Sequence, residues 1–150
     1  MSGLTGFLTK EERIDKAIKI SKKWLRELLQ LEQAIKSLEE LYNNTDGMRA
    51  VQYKAVSVPT HKNSDISSAV AIERAEIAER LKITKIRVKI IKAALLTLDD
   101  VEYQSVYNRY VLGLSWTKVA DRLFFSERWV KKLSSRGVEK VARSIFGLPV

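Results

Sequence analysis

Apolar positions recur along the first forty residues in steps of three and four: Ile14, Ala17, Trp24, Leu28, Leu31, Ile35, Leu38 and Tyr42, with Ser21 filling one place in the series. That spacing lays a single stripe along an α-helix and sustains a coiled-coil seam over about four heptads. Ile18 and Leu25 widen the stripe. Thr9 and Glu12 have the spacing of a capping box, and Glu11 and Glu12 suit the positive end of the helix dipole, so the helix is expected to start after Thr9. Asn43-Asn44-Thr45-Asp46-Gly47 predicts its end near residue 42. A loop is expected over 43–66, with a weak alternation at 51–58 that could pair as a short strand. A second helix is expected from Ser67 to Thr97, with its seam at Val70, Arg74, Ile77, Leu81, Thr84, Val88, Ile91, Leu95 and Leu98. At 1.5 Å per residue it would run about 45 Å. Stripes this long can pair as an antiparallel hairpin within the chain or between chains.

The rhythm then breaks into three short helices. Thr97-Leu98-Asp99-Asp100 offers an N-cap, and Val101, Val106, Tyr107, Tyr110 and Val111 form the expected inner face of the third helix. Gly113 suits a stop, because glycine takes positive φ at little cost. Ser115 can cap the next helix, with Trp116, Val119, Ala120 and Leu123 at helical spacing. Ser126 can cap the last, whose inner face reads Val130, Leu133, Gly137, Val138 and Val141. The chain therefore divides into a helical oligomerisation or interaction region, 1–97, and a trihelical unit, 98–150. The fold class expected is all-α.

Composition narrows the function. There is no cysteine, which excludes disulfides, thiolate catalysis and cysteine zinc sites. No apolar run approaches a membrane span, and Met1 to Lys10 lacks the apolar core of a secretory signal, so a cytoplasmic protein with no membrane partner is expected. The net charge of +9 favours polyanions as partners. The charge is unevenly placed: from Arg128 to Arg143 there are six basic residues and one acid, Glu139. A second acid-free run, Arg80, Lys82, Lys85, Arg87, Lys89 and Lys92, reads as a solvated face, or one paired with acids of the first helix, more than as a phosphate-binding surface.

The last helix has the make-up of a recognition helix, which must pack one face on its scaffold and offer the other to the major groove. Glu127, Arg128, Lys131, Lys132, Ser135 and Arg136 fall on the outer face or its flanks. Arginine and lysine can donate to guanine O6 and N7, while serine and lysine can hold phosphates. Ser126 at the cap, with Ser115 and Lys118 at the start of the preceding helix, completes the expected DNA-binding set. Glu127 reads either as a partner for a cytosine amine or as a dipole partner, Trp129 reads as core or subunit contact more than as a base wedge, and Trp116 reads as core.

From Leu98 to Val141 the pattern Gly113-x-Ser115, Val119-Ala120, Leu123, Ser126-x-x-x-Val130 and a basic helix resembles region 4 of sigma-70-type factors. With Ser115-Trp116, Arg128-Trp129-Val130, the Tyr42…Asp46-Gly47-Met48 loop and the long helix before the unit, the chain resembles phage and prophage regulators of the ArpU/RinA type. The resemblance implies a sigma-region-4-like helix-turn-helix on duplex DNA, late-gene activation in a bacterial host, homo-oligomers and contact with RNA polymerase. Nothing resembles the aromatic segment with which sigma factors melt promoters, Phe124-Phe125 replaces the usual glycine-containing turn, and Gly137 stands where alanine is commoner. The rival expectation is a DNA-packaging subunit of the small-terminase kind, which also joins a helix-turn-helix to oligomerising helices.

Catalysis is not expected. No nucleophile–base set and no Walker phosphate loop is legible, and no cofactor is implied. His61 stands in a polar stretch without a second metal ligand nearby.

Overall fold

The structure, a computed structural model, describes the backbone of residues 7–55 and 60–149 and the side chains of 7–45 and 68–149. Every regular element among the described residues is helical: α1 (Lys10–Ala55), α2 (Thr60–Leu95), α3 (Asp100–Val106, running into a π turn at Tyr107–Val111), α4 (Trp116–Leu123) and α5 (Glu127–Phe146). The chain is all-α, as its periodicity implies.

The capping box at the start of α1 is present: the Glu12 N–H donates to Thr9 Oγ1 at 3.2 Å and the Thr9 N–H to Glu12 Oε2 at 2.9 Å. The expected end is not where the turn-forming residues put it. α1 continues through Asn43 and Gly47 to Ala55, and α2 begins at Thr60, not Ser67, and stops at Leu95, not Thr97. A loop over 43–66 and a strand over 51–58 are therefore both corrected: 51–55 is helical, and 56–59 lies outside the described residues. The reason is energetic. Asparagine, aspartate or glycine in a helix costs at most about 1 kcal/mol each relative to alanine, whereas proline costs about 3. No proline occurs before Pro59, which immediately precedes α2. The expected reading of His61 falls on a side chain outside those described.

The chain forms two compact units: residues 1–29 with 89–150, and residues 30–88. The second unit is made of the later part of α1 and most of α2. Its seam residues Leu31, Ile35, Leu38, Tyr42, Val70, Ile77, Leu81 and Thr84 are half-buried. Lys85 pairs with Glu39 at 3.1 Å, and the Arg74 guanidinium lies 4.1 Å from the Tyr42 ring centre. A cation and an aromatic ring thus meet at two seam positions, and one lysine of the acid-free run is paired with an acid of α1.

The first unit holds the main core. Leu25 and Leu28 of α1, Ile91 and Leu95 of α2, Val106 of α3, Val119 of α4, and Val130, Leu133, Val138 and Val141 of α5 are buried. The inner faces expected for α4 and α5 are the ones observed. For α3 there is one correction: Val101 is exposed, while Glu102 and Ser105 are fully buried. Asp99 caps α3 and forms a capping box with Glu102, so Glu102 is held at the third helical position and faces inward. Gly137 answers the departure noted at its position. α3 packs against α5 there, and a Cβ on Gly137 would lie 2.5 Å from Val106 Cγ2. Only glycine permits this approach without displacing a neighbour.

Candidate nucleic-acid interface

Two tight connections position the candidate face. Val106 leads into a wide turn, closed by a Leu112 N–H to Tyr107 carbonyl bond of 3.0 Å, and Gly113 comes next with φ 73°. Inside that turn Asn108 is buried. Its amide donates to the Gln104 carbonyl at 2.7 Å and its Oδ1 accepts from Arg122 of α4 at 2.9 Å. Arg109 donates to the Leu114 carbonyl at 3.0 Å and lies 4.4 Å from the Trp116 ring centre. Trp116 also meets Tyr110 edge to face. The expectation that Trp116 is a packing residue holds, and these contacts fix the start of α4 against the π turn.

Ser115 caps α4 through the Lys118 N–H, and Ser126 caps α5 through the Trp129 N–H. Between them, Phe124 takes the left-handed conformation with φ 59°, and the Phe125 N–H closes the turn onto the Ala120 carbonyl at 3.1 Å. The turn that usually carries glycine is built here with phenylalanine. Phe124 is 92% exposed, so its ring packs on nothing that repays the backbone strain. Val119, Ala120 and Val130 form a small buried cluster at the crossing of α4 and α5, with Leu114, Trp116 and Leu123 around it.

All nine residues expected to bind DNA are exposed: Ser115 at the cap and Lys118 on the first turn of α4, and Ser126 at the cap of α5 with Glu127, Arg128, Lys131, Lys132, Ser135 and Arg136 along it. The basic run of α5 divides into paired and unpaired cations. Lys140 is bonded to buried Glu102 at 2.7 Å, and Arg143 to Glu139 at 2.9 Å. Arg128, Lys131, Lys132 and Arg136 belong to no ion pair among the described residues. Glu127, the one acid at the start of the helix, accepts a hydrogen bond from the Thr117 hydroxyl at 3.1 Å, which ties α4 to α5. Its carboxylate also lies at the positive end of α5, where negative charge is favoured.

Of the two packing roles expected for Trp129, core and subunit contact, the first does not hold. It is 40% exposed, with Lys132 Nζ 5.8 Å from its ring centre, and it is not core. The inner positions Val130, Leu133, Gly137 and Val141 put Trp129 about 100° away around the helix. The sequence carried that signal, but tryptophan's usual burial outweighed it.

The Glu102 N–H bond to Asp99 holds the Asp99 carboxylate below its ordinary value, helped by the Glu102 side chain and the nearby charges of Lys140 and Arg136. Among the described residues no group of three His, Asp or Glu side chains could hold a metal ion, and no helix is long and apolar enough to cross a membrane.

The chain matches no protein-family model, no curated protein and no solved structure.

Proposed function

We propose that this chain is a sequence-specific duplex-DNA-binding transcriptional regulator, with α4 and α5 acting as a sigma-region-4-like helix-turn-helix. The observation that carries the reading is the outer face of α5: Arg128, Lys131, Lys132 and Arg136 are exposed and unpaired on a helix whose other face is buried. The four cations on one rigid helix outnumber the acids beside them, Glu127 and Asp99, and a polyanion relieves the repulsion that is left. The buried valines and the two serine caps hold the face in place before DNA arrives, which lowers the ordering cost of binding. Lys118 and the free N–H groups at the start of α4 suit a flanking phosphate.

From the resemblance of Gly113 to Val141, the regulator is assigned to phage or prophage late-gene activation in the bacterial cytoplasm, with RNA polymerase as a second partner. It works by binding and not as an enzyme. The exposed apolar residues Leu41, Ile72, Ile83 and Ile86 on the long helices support self-association. In a dimer, half-sites would fall one or more helical turns apart.

The test is duplex binding as a function of salt. Affinity should fall steeply, with a log–log slope near 0.9 per phosphate neutralised. Lys131→Ala combined with Lys132→Ala should flatten the slope by about 2 while leaving the melting temperature in place. An unchanged slope would remove the face from the proposal. Crosslinking to the source genome then separates the functions: occupancy upstream of a late operon supports regulation, and occupancy confined to a packaging locus reassigns the chain to DNA packaging.

A further inference from the structure

Two residues within one helical turn of Trp129, Val130 and Leu133, are buried, yet its ring stands 40% open. Among the described residues no other aromatic ring packs on it, and the Lys132 ammonium lies 5.8 Å from its ring centre. An exposed indole forfeits much of the stabilisation its large apolar area would give if buried. The backbone beneath it is not loose. The Trp129 N–H is bonded to the capping Ser126 Oγ at 3.2 Å, so the ring is presented from a fixed first turn. Lys132 and Arg136 lie three and seven residues further on, on the same side of α5, and Arg128 precedes it.

Those cations decide what covers the ring. A second copy docking here across a two-fold axis would set this cationic face, with Arg128, Lys132 and Arg136, against the same cationic face. A polyanion meets no such repulsion. On duplex DNA the apolar feature at the base edges is the thymine C5-methyl group, which projects into the major groove. Resting on the reading of α5 as the helix that enters that groove, we infer that Trp129 is a specificity-determining residue that packs against a thymine methyl, while the neighbouring lysines and arginines supply charge. It adds sequence preference to a face whose basic residues give mostly affinity.

Uracil differs from thymine only by that methyl, which makes the test direct. The full chain would be presented with short duplexes of randomised core, made once with thymine and once with uracil. Wild type should retain its preferred sequences about fourfold better per contacted thymine, as burial of one methyl at about 0.8 kcal/mol implies. Trp129→Ala should lose that preference, and Lys131→Ala should weaken both pools alike. Equal retention of the two pools by wild type, or an undiminished preference in Trp129→Ala, would overturn the inference while leaving DNA binding intact. Retention of no duplex at low salt would overturn DNA binding itself, and this inference with it.

Discussion

Lys140 Nζ lies 2.7 Å from Glu102 Oε1, and the two side chains differ sharply in setting: the glutamate is fully buried and the lysine is about half exposed. The bond spans 38 positions and joins α5 to the first turn of α3. Glu102 Oε2 has no hydrogen-bond partner, so Lys140 supplies most of the compensation for a carboxylate withdrawn from water.

Removing the lysine should therefore cost more than a surface ion pair is worth. Lys140→Ala is expected to destabilise the chain by about 2–3 kcal/mol, below the 3–5 of a wholly buried pair because the ammonium is half in water. Adding Glu102→Gln should restore part of the loss. Denaturant midpoints of the two single variants and the double variant measure the coupling.

Gly137→Ala should destabilise through crowding, not through helix propensity. Alanine is the better helix former by about 1 kcal/mol, but its methyl would meet Val106 Cγ2 at 2.5 Å. A net loss of about 1–2 kcal/mol is expected. Val106→Ala in the same chain should recover some of it, and thermal unfolding of the pair would show whether it does.

Phe124→Gly should do the opposite. The position needs φ 59° and leaves the ring exposed, so glycine removes backbone strain and sacrifices almost no packing. The expected gain is about 0.5–1 kcal/mol, after the added freedom of the unfolded chain is subtracted. Equal or lower stability would mean that the ring finds contacts worth as much as the strain.

Acid should weaken the start of α3. The Asp99 carboxylate sits below its ordinary value in the folded chain because it accepts the Glu102 N–H. Its contribution is then fully present above the unfolded value of about 3.9 and disappears as pH falls through the lower, folded value. Asp99→Asn should flatten the acid limb of a stability–pH curve below about pH 4 and leave the neutral region with the same slope.

Much of this architecture was legible because it rests on local rules. The caps at Thr9, Asp99, Ser115 and Ser126 are short-range signals, and all four are present. The inner face of α5 comes from a spacing that only one side of a helix can satisfy. What failed needed competition or distance. Asn43 to Gly47 resembles a stop, but weak formers lose to a long helical stretch that contains no proline. Val101 looked internal by residue type, while the capping box turned Glu102 inward instead. The division of α5 into free and paired cations could not be read from the run itself, because the partner of Lys140 stands far back in the chain. The exposure of the nine residues expected to bind DNA was legible, because the inner-face spacing of α4 and α5 leaves them on the outside.

The wide turn at Tyr107–Val111 makes the chain's length at that point part of its design. A ring closed from Leu112 to Tyr107 holds one residue more than an α-helical turn. Each residue advances a helix by about 100°, so deleting one here would close the turn into regular helix and rotate α4 and α5 by that angle. Arg109 would no longer face both the Leu114 carbonyl and Trp116, and Arg122 would lose Asn108. A single-residue deletion is usually harmless in an exposed connection, but here it would throw the basic helix out of phase with its scaffold without changing one charge on it.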